Sequence, residues 1–164
     1  MKQDITEEII KNWQKECPEF DVSAKEVMGR IIRLQEHYLH DAEEILKPLG
    51  LKKGSYSILS TLRVSGKPYE LHPKELHHFS LVTSGGMSNL LNHMEKDELI
   101  SRHQDPEDQR SVRIRLTKKG KQLAEEGMAE LTKLEHKFTS PLSKKEQQDL
   151  AKLLQKMLMN LQNT

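Results

Sequence analysis

The sequence has little of what disulfide frameworks and membrane spans are built from. Cys17 is its only cysteine, so the chain cannot form an internal disulfide. Cys17 is either a small apolar residue at a helix end or an oxidation sensor. No run approaches the roughly 18 apolar residues that a membrane span requires, and the first ten residues lack the apolar core of a signal peptide. We therefore expect a cytoplasmic protein that makes no membrane contact.

A large excess of charge of one sign is also missing. The chain carries 26 Lys and Arg against 25 Asp and Glu, a formal net charge of +1, so affinity for nucleic acid would have to come from local clustering. Such a cluster exists between Leu99 and Lys121, where Arg and Lys residues flank an acidic turn that contains Asp105, Glu107 and Asp108. The sequence also lacks a nucleophile–base pair and a phosphate-binding loop, so we expect neither enzymatic activity nor a cofactor.

Apolar spacing predicts helices through most of the chain and one β-hairpin. Two short helices, "PKELHHFS" and "SGGMSNLLNHMEKDE", follow one another as in a helix-turn-helix. The segments "LISRH" and "SVRIRLT" alternate with period two around the turn "QDPEDQR" and predict two antiparallel strands. Capping boxes are expected at Ser23 with Glu26 and at Ser143 with Glu146, each opening a long helix.

This order of elements predicts a mainly α (α+β) fold, a winged helix-turn-helix whose wing is the β-hairpin. We expect a single domain over residues 1–164, with the winged helix-turn-helix region at 54–117. Residues 1–49 and 118–164 would form a helical dimerisation region. The flanking helices are too apolar to stand alone, which favours a homodimer.

The stretch from Thr83 to Gly120 resembles the multiple-antibiotic-resistance regulator (MarR) family. The resemblance lies in a Thr-Ser-Gly helix start, in "DPEDQRS" from Asp105 to Ser111, and in Leu-Thr-x-x-Gly from Leu116 to Gly120. It implies a homodimeric regulator, with first and last helices at the dimer interface, that binds a near-palindromic operator in double-stranded DNA. It further implies a repressor that a small aromatic or phenolic effector releases.

The wing is the first candidate for DNA contact. Arg110 at its tip would enter the minor groove, whose electronegative floor favours a guanidinium, and Asp108 would bond the amides of the turn or hold an arginine. Asparagines on the second short helix suit base readout, and basic residues around it suit phosphate contacts. Lys96 is the only Lys or Arg between Thr83 and Asp97, so we expect the wing to supply an unusual share of the electrostatic affinity. The remaining candidates are Lys74, Thr83, Ser84, Gly85, Ser88, Asn89, Asn92, His93, Arg102, His103, Arg113 and Arg115.

The effector is less defined. Trp13 and the "CPEFD" turn resemble the urate-responsive branch of the family, but Ser57 and Leu90 replace the acidic residue and the arginine that this branch also uses. Candidate pocket residues are Trp13, Arg30, His37, Tyr38 and Tyr56. His37, His40 and Asp41 do not converge on one point of a helix and no Cys joins them, so we expect no metal site. The alternatives are a metal- or oxidant-sensing regulator of the same fold and a helical interaction module that binds no DNA.

Overall fold

The computed structural model describes residues 4–82, 84–108 and 110–162, which divide into two compact units, Met1–Glu43 and Glu44–Thr164. Seven α-helices and three β-strands are found in the described residues. In chain order they are α1 Ile5–Glu16, α2 Lys25–Leu46, α3 Lys53–Val64, β1 Glu70–Leu71, α4 Pro73–Phe79, α5 Ser84–Lys96, β2 Ile100–Gln104, β3 Val112–Leu116, α6 Lys118–Thr139 and α7 Lys144–Gln162. A short 3₁₀ turn, Lys47–Leu49, follows α2.

In the first unit, one arginine joins α1 and α2 through ion pairs. The Asp4 carboxylate caps α1 by accepting the Thr6 amide at 2.9 Å. Arg30 on α2 donates to that same carboxylate and to Glu26, with its Nη2 2.6 Å from Asp4. Gly29 allows close approach, because a Cβ there would lie 2.8 Å from the Thr6 methyl group.

The two predicted capping boxes have different outcomes. At the second, the Glu146 carboxylate accepts the Ser143 amide at 2.8 Å, as predicted. At the first, the Ser23 amide donates to Asp21 at 2.9 Å, and Glu26 pairs with Arg30 instead of reaching back to Ser23. That prediction was wrong because a nearer carboxylate, two residues before Ser23, takes the amide.

The second unit contains the predicted winged helix-turn-helix. Its sheet has the order β1-β3-β2, and β2 pairs with β3 in an antiparallel register that sets Arg102 opposite Ile114. The "PYEL" segment supplies the edge strand, with Leu71 opposite Ile114. Apolar side chains of the helices and the sheet meet in one core, whose fully buried members include Ile58, Leu59, Leu62, Leu76, Met94, Ile100 and Ile114.

The Leu-Thr-x-x-Gly segment joins the wing to α6. The Thr117 hydroxyl accepts the Gly120 amide at 2.9 Å, which caps the helix, and donates to the carbonyl of Glu98 at 2.7 Å. A side chain at Gly120 would overlap the Leu99 carbonyl oxygen. Glycine is therefore required there by the close packing of α6 against the start of β2.

None of the helices in the described part of the chain is both long enough and apolar enough to cross a membrane.

Candidate nucleic-acid interface

Helix α5 separates an apolar face from a polar face. Met87, Leu91 and Met94 are buried, as their helical spacing predicts. Ser88, Asn89, Asn92 and His93 are exposed. A Cβ at Gly85 would meet nothing within 4 Å, so packing inside the described protein does not explain this glycine. The exposed face of α5 is polar and nearly free of lysine and arginine.

Carboxylates shape the turn of the wing. The Asp108 carboxylate accepts the Arg110 amide at 3.0 Å, so it bonds the backbone of the turn as predicted. Asp105 is 3% exposed and accepts the Glu107 amide at 2.8 Å. The Asp105 amide in turn donates to the Ser111 carbonyl at 3.0 Å, which closes the base of the loop.

Two arginines of β3 are paired with carboxylates of the same chain. Arg113 donates to Asp105 at 2.6 Å, and Arg115 donates to Glu70 of β1 at 2.7 Å. The Glu107 amide and the Arg113 guanidinium hold the pKa of the Asp105 carboxyl below its usual range. The acidic residues thus neutralise the inner arginines of the hairpin and fix their side chains across the sheet.

Arg102 of β2 is fixed in the same way, but onto α5. Its Nη1 donates to Glu95 at 2.9 Å, and its Nη2 donates to the Asn92 side-chain oxygen at 2.7 Å. A guanidinium can only donate, so the oxygen of the Asn92 amide must face Arg102. The amide nitrogen of Asn92 is then the group that remains for a DNA base.

The tip of the wing has a different environment. Arg110 is exposed, and no ion pair to its guanidinium is found within residues 4–82, 84–108 and 110–162. Lys74, exposed on the first turn of α4, lines an open groove with Arg110 and Val112. Arg110 at the tip of the wing and Lys74 at the start of α4 are therefore exposed cations that can meet a phosphate.

The other predicted contact residues lie around this surface. His103 bonds the Ser101 hydroxyl through its Nε2 at 2.8 Å, on the exposed part of β2. Helix α5 begins at Ser84, and Thr83 lies outside the described residues.

His72, Asp105 and Glu70 are the residues of the wing that sequence reasoning missed. The His72 ring lies 3.1 Å from the Asp105 carboxylate through Nε2 and 3.1 Å from the Ser111 hydroxyl through Nδ1. The partners of His72 and Glu70 lie 33 to 45 positions away in the chain, beyond the reach of local periodicity. Glu70 lies opposite Arg115 because of the register between β1 and β3, which no local pattern of the sequence sets.

The predicted effector residues are divided between the two units, with Tyr56 in the second and the others in the first. Trp13 lines a groove between α1 and α2, where Lys25 lies 4.3 Å from its ring centroid. Arg30 is engaged by Asp4 and Glu26 and does not line that groove. Tyr56 belongs to the second unit, where its ring packs against Gly127. His37 is exposed and Tyr38 half-buried on α2, and neither lines the groove. The described residues contain no group of three His, Cys, Asp or Glu side chains able to hold a metal ion.

Comparison with known proteins agrees with this geometry. The family described as the MarR family matches residues 51–112. The regulator PecS of Dickeya dadantii is 27% identical over 156 residues, which are 95% of this chain and 94% of PecS. The uncharacterized helix-turn-helix-type regulator YwaE of Bacillus subtilis is 31% identical over 121 residues, 74% of this chain and 69% of YwaE.

Solved structures show the same fold. AbsC, a MarR family regulator from Streptomyces coelicolor, superposes with a TM-score of 0.78 at 18% identity and covers 88% of this chain and 99% of its own. A mutant of Escherichia coli MarR complexed with operator DNA gives a TM-score of 0.70 at 23% identity, covering 89% of this chain and 97% of its own.

Proposed function

Because the chain belongs to the MarR family of DNA-binding transcriptional regulators, we propose that it is a homodimeric repressor of the cytoplasm. It binds a near-palindromic operator in double-stranded DNA, and a small aromatic effector releases it. The wing and α5 of each protomer contact one half-site, and the half-sites lie about one helical turn, roughly 10 base pairs, apart.

The observation that carries this proposal is the distribution of partners among the wing arginines. Arg102, Arg113 and Arg115 are each held by a carboxylate of the chain, whereas Arg110 at the tip is exposed. An intramolecular ion pair lowers the gain from binding a phosphate, because the arginine must first leave its partner. Arg110 therefore enters the minor groove, and the paired arginines hold the wing in shape.

Base readout falls to the polar face of α5. Asn89 is exposed and suits the bidentate contact with adenine, which needs both its oxygen and its nitrogen. Asn92 gives its oxygen to Arg102, so it serves as a donor to a base that presents an acceptor, such as guanine or thymine. Ser88 and His93 complete this face, while Lys74 and His103 contact phosphates.

The dimer buries apolar surface that each unit exposes. In the first unit Ile5, Val27 and Leu34 are between 49% and 55% exposed. In the second unit α7 has a row of exposed apolar side chains: Leu150, Leu153, Met157, Leu158, Met159 and Leu161. Such surface is costly in water and is typical of an interface. Sedimentation should give a dimer mass; a monomer at micromolar concentration would contradict this part of the proposal.

A mobility-shift experiment tests the function. The full chain should bind the DNA upstream of its own gene selectively over a scrambled duplex at moderate salt. Absence of binding even at low salt would contradict the proposal and favour the interaction module instead. Equal binding to both duplexes would contradict sequence-specific recognition but not DNA binding itself.

The groove between α1 and α2 is the site best suited to an aromatic effector. Its 320 Å³ lies at the lower end of the roughly 300–1,000 Å³ of small-molecule sites. Trp13 offers an aromatic face, and Lys25 and Arg33 offer cations to a carboxylate. Trp13 is the only tryptophan, so its fluorescence reports binding there directly.

A titration with hydroxybenzoate should quench Trp13 fluorescence at the concentrations that release DNA. Arg33→Gln should weaken both effects, and Tyr56→Phe, which changes a residue outside this groove, should weaken neither. Release of DNA with unchanged fluorescence would mean that the effector binds elsewhere, and no release would contradict this effector class.

A further inference from the structure

His72 bridges the two sides of the loop that carries Arg110. Its Nε2 lies 3.1 Å from the Asp105 carboxylate, and its Nδ1 lies 3.1 Å from the Ser111 hydroxyl. Asp105 is the first residue after β2, and Ser111 is the last before β3. One imidazole ring therefore spans the base of the tip loop.

The backbone of His72 is itself fixed on the helix-turn-helix. It precedes Pro73, the first residue of α4, and has the extended conformation (φ −69°, ψ 151°) that a following proline favours. Its amide donates to the Glu75 carboxylate at 2.8 Å. The ring thus extends to the wing from a residue whose backbone is held at the start of α4 by Pro73 and Glu75.

From this geometry we propose that His72 is a positioning residue for DNA binding, which holds the wing tip at a set orientation to the helix-turn-helix. Asp105 is 3% exposed and already bonded to the Glu107 amide and to Arg113, so it is a rigid anchor. Ser111 follows Arg110 directly, and its amide donates to the Asp108 carbonyl at 2.8 Å. Fixing Ser111 consequently fixes the backbone that leads into Arg110.

The consequence for binding is a lower entropic cost. Without the ring, the tip must be ordered when DNA binds, and ordering one flexible side chain weakens binding by roughly 2- to 12-fold. With two wings in a dimer, the expected loss is about 4- to 140-fold. This inference depends on the proposed DNA-binding function, but His72 itself need not contact DNA.

The test is a double-mutant cycle between His72 and Arg110, measured as operator affinity of the full chain. His72→Ala should weaken binding within the range above in the wild-type background and have little further effect in Arg110→Ala. Equal losses in both backgrounds would show that His72 acts only on general stability, which would overturn the proposal. No loss in either background would overturn it as well.

Two conservative variants separate the contacts of the ring. The amide nitrogen of Gln reproduces Nε2 and keeps the Asp105 contact in His72→Gln, whereas His72→Asn reproduces Nδ1 and keeps the Ser111 contact. We expect each to restore part of the affinity lost in His72→Ala, at melting temperatures that differ little between the three variants. If only the melting temperature followed the substitutions, the proposal would be wrong. Failure of the wild-type protein to bind any DNA would instead contradict the proposed function.

Discussion

Removal of the Arg110 guanidinium should change how operator affinity depends on salt. Each phosphate charge that a protein neutralises contributes about 0.9 to the slope of log affinity against log salt. One Arg110 from each protomer of a dimer would therefore contribute about 1.8. Between about 50 and 200 mM salt the wild-type protein should lose roughly 12-fold more affinity than Arg110→Ala.

The assay is fluorescence anisotropy with a labelled operator duplex at four or more salt concentrations. Lys145→Ala is the matched control, because it removes the same charge from an exposed position in the first turn of α7. It should leave the slope at the wild-type value. Removing a cation from a helix N-terminus also carries no cost in stability.

A wild-type slope for Arg110→Ala at matched salt would contradict the assignment of Arg110 to DNA contact. A slope lowered as much by Arg115→Gln as by Arg110→Ala would contradict it too, since Arg115 is already paired with Glu70.

Three further substitutions test other parts of the account. Gly85→Ala should raise the melting temperature, because the added Cβ meets nothing within 4 Å and alanine favours a helix by up to about 1 kcal/mol. The same substitution should weaken operator binding. Unchanged binding would mean that DNA does not approach this backbone. Gly120→Ala should lower the free energy of unfolding by about 1–3 kcal/mol in urea denaturation, because its Cβ would overlap the Leu99 carbonyl; an unchanged midpoint would contradict that packing. Asn92→Ala should relax selection at one base pair of each half-site by about 1 kcal/mol, the lower end of the range for a bidentate contact, in a selection from randomised operators. Selection that stayed as sharp as in the wild type would exclude Asn92 from base readout.

The fold could be predicted from local pattern because short sequence patterns indicate its helices and strands. Val112, Ile114 and Leu116 alternate with Arg113 and Arg115, and the hairpin follows from that period of two. The Ser23–Glu26 box failed because a local rule does not say which of two nearby carboxylates will take an amide.

The side-chain contacts of the wing could not be predicted in the same way. Sequence reasoning named Asp108 as the carboxylate that shapes the turn, and Asp108 does accept the Arg110 amide. Its other suggested role, holding an arginine, belongs to Asp105, which binds Arg113 and is itself in contact with His72. The contact between His72 and Asp105 joins segments that only the tertiary fold brings together.

These side-chain contacts also distinguish the basic residues as candidates for DNA contact. In the sequence, Arg102, Arg113 and Arg115 are equivalent to Arg110 as cations near a wing. In the structure Arg102 lies beside Asn92 and Glu95. Arg113 lies beside Asp105, and Arg115 lies beside Glu70. The acidic turn therefore acts on the inner arginines and leaves the tip available for DNA.

The most direct measurement of the central claim is a hydroxyl-radical footprint, because this reagent cleaves DNA from the minor groove. On the DNA upstream of its own gene, the wild-type protein should protect two short minor-groove segments that flank the major-groove contacts of a near-palindrome. Arg110→Ala should lose protection at those two segments and retain the central pattern at a concentration that restores occupancy. An identical footprint for the two proteins would contradict the assignment of Arg110 to the minor groove.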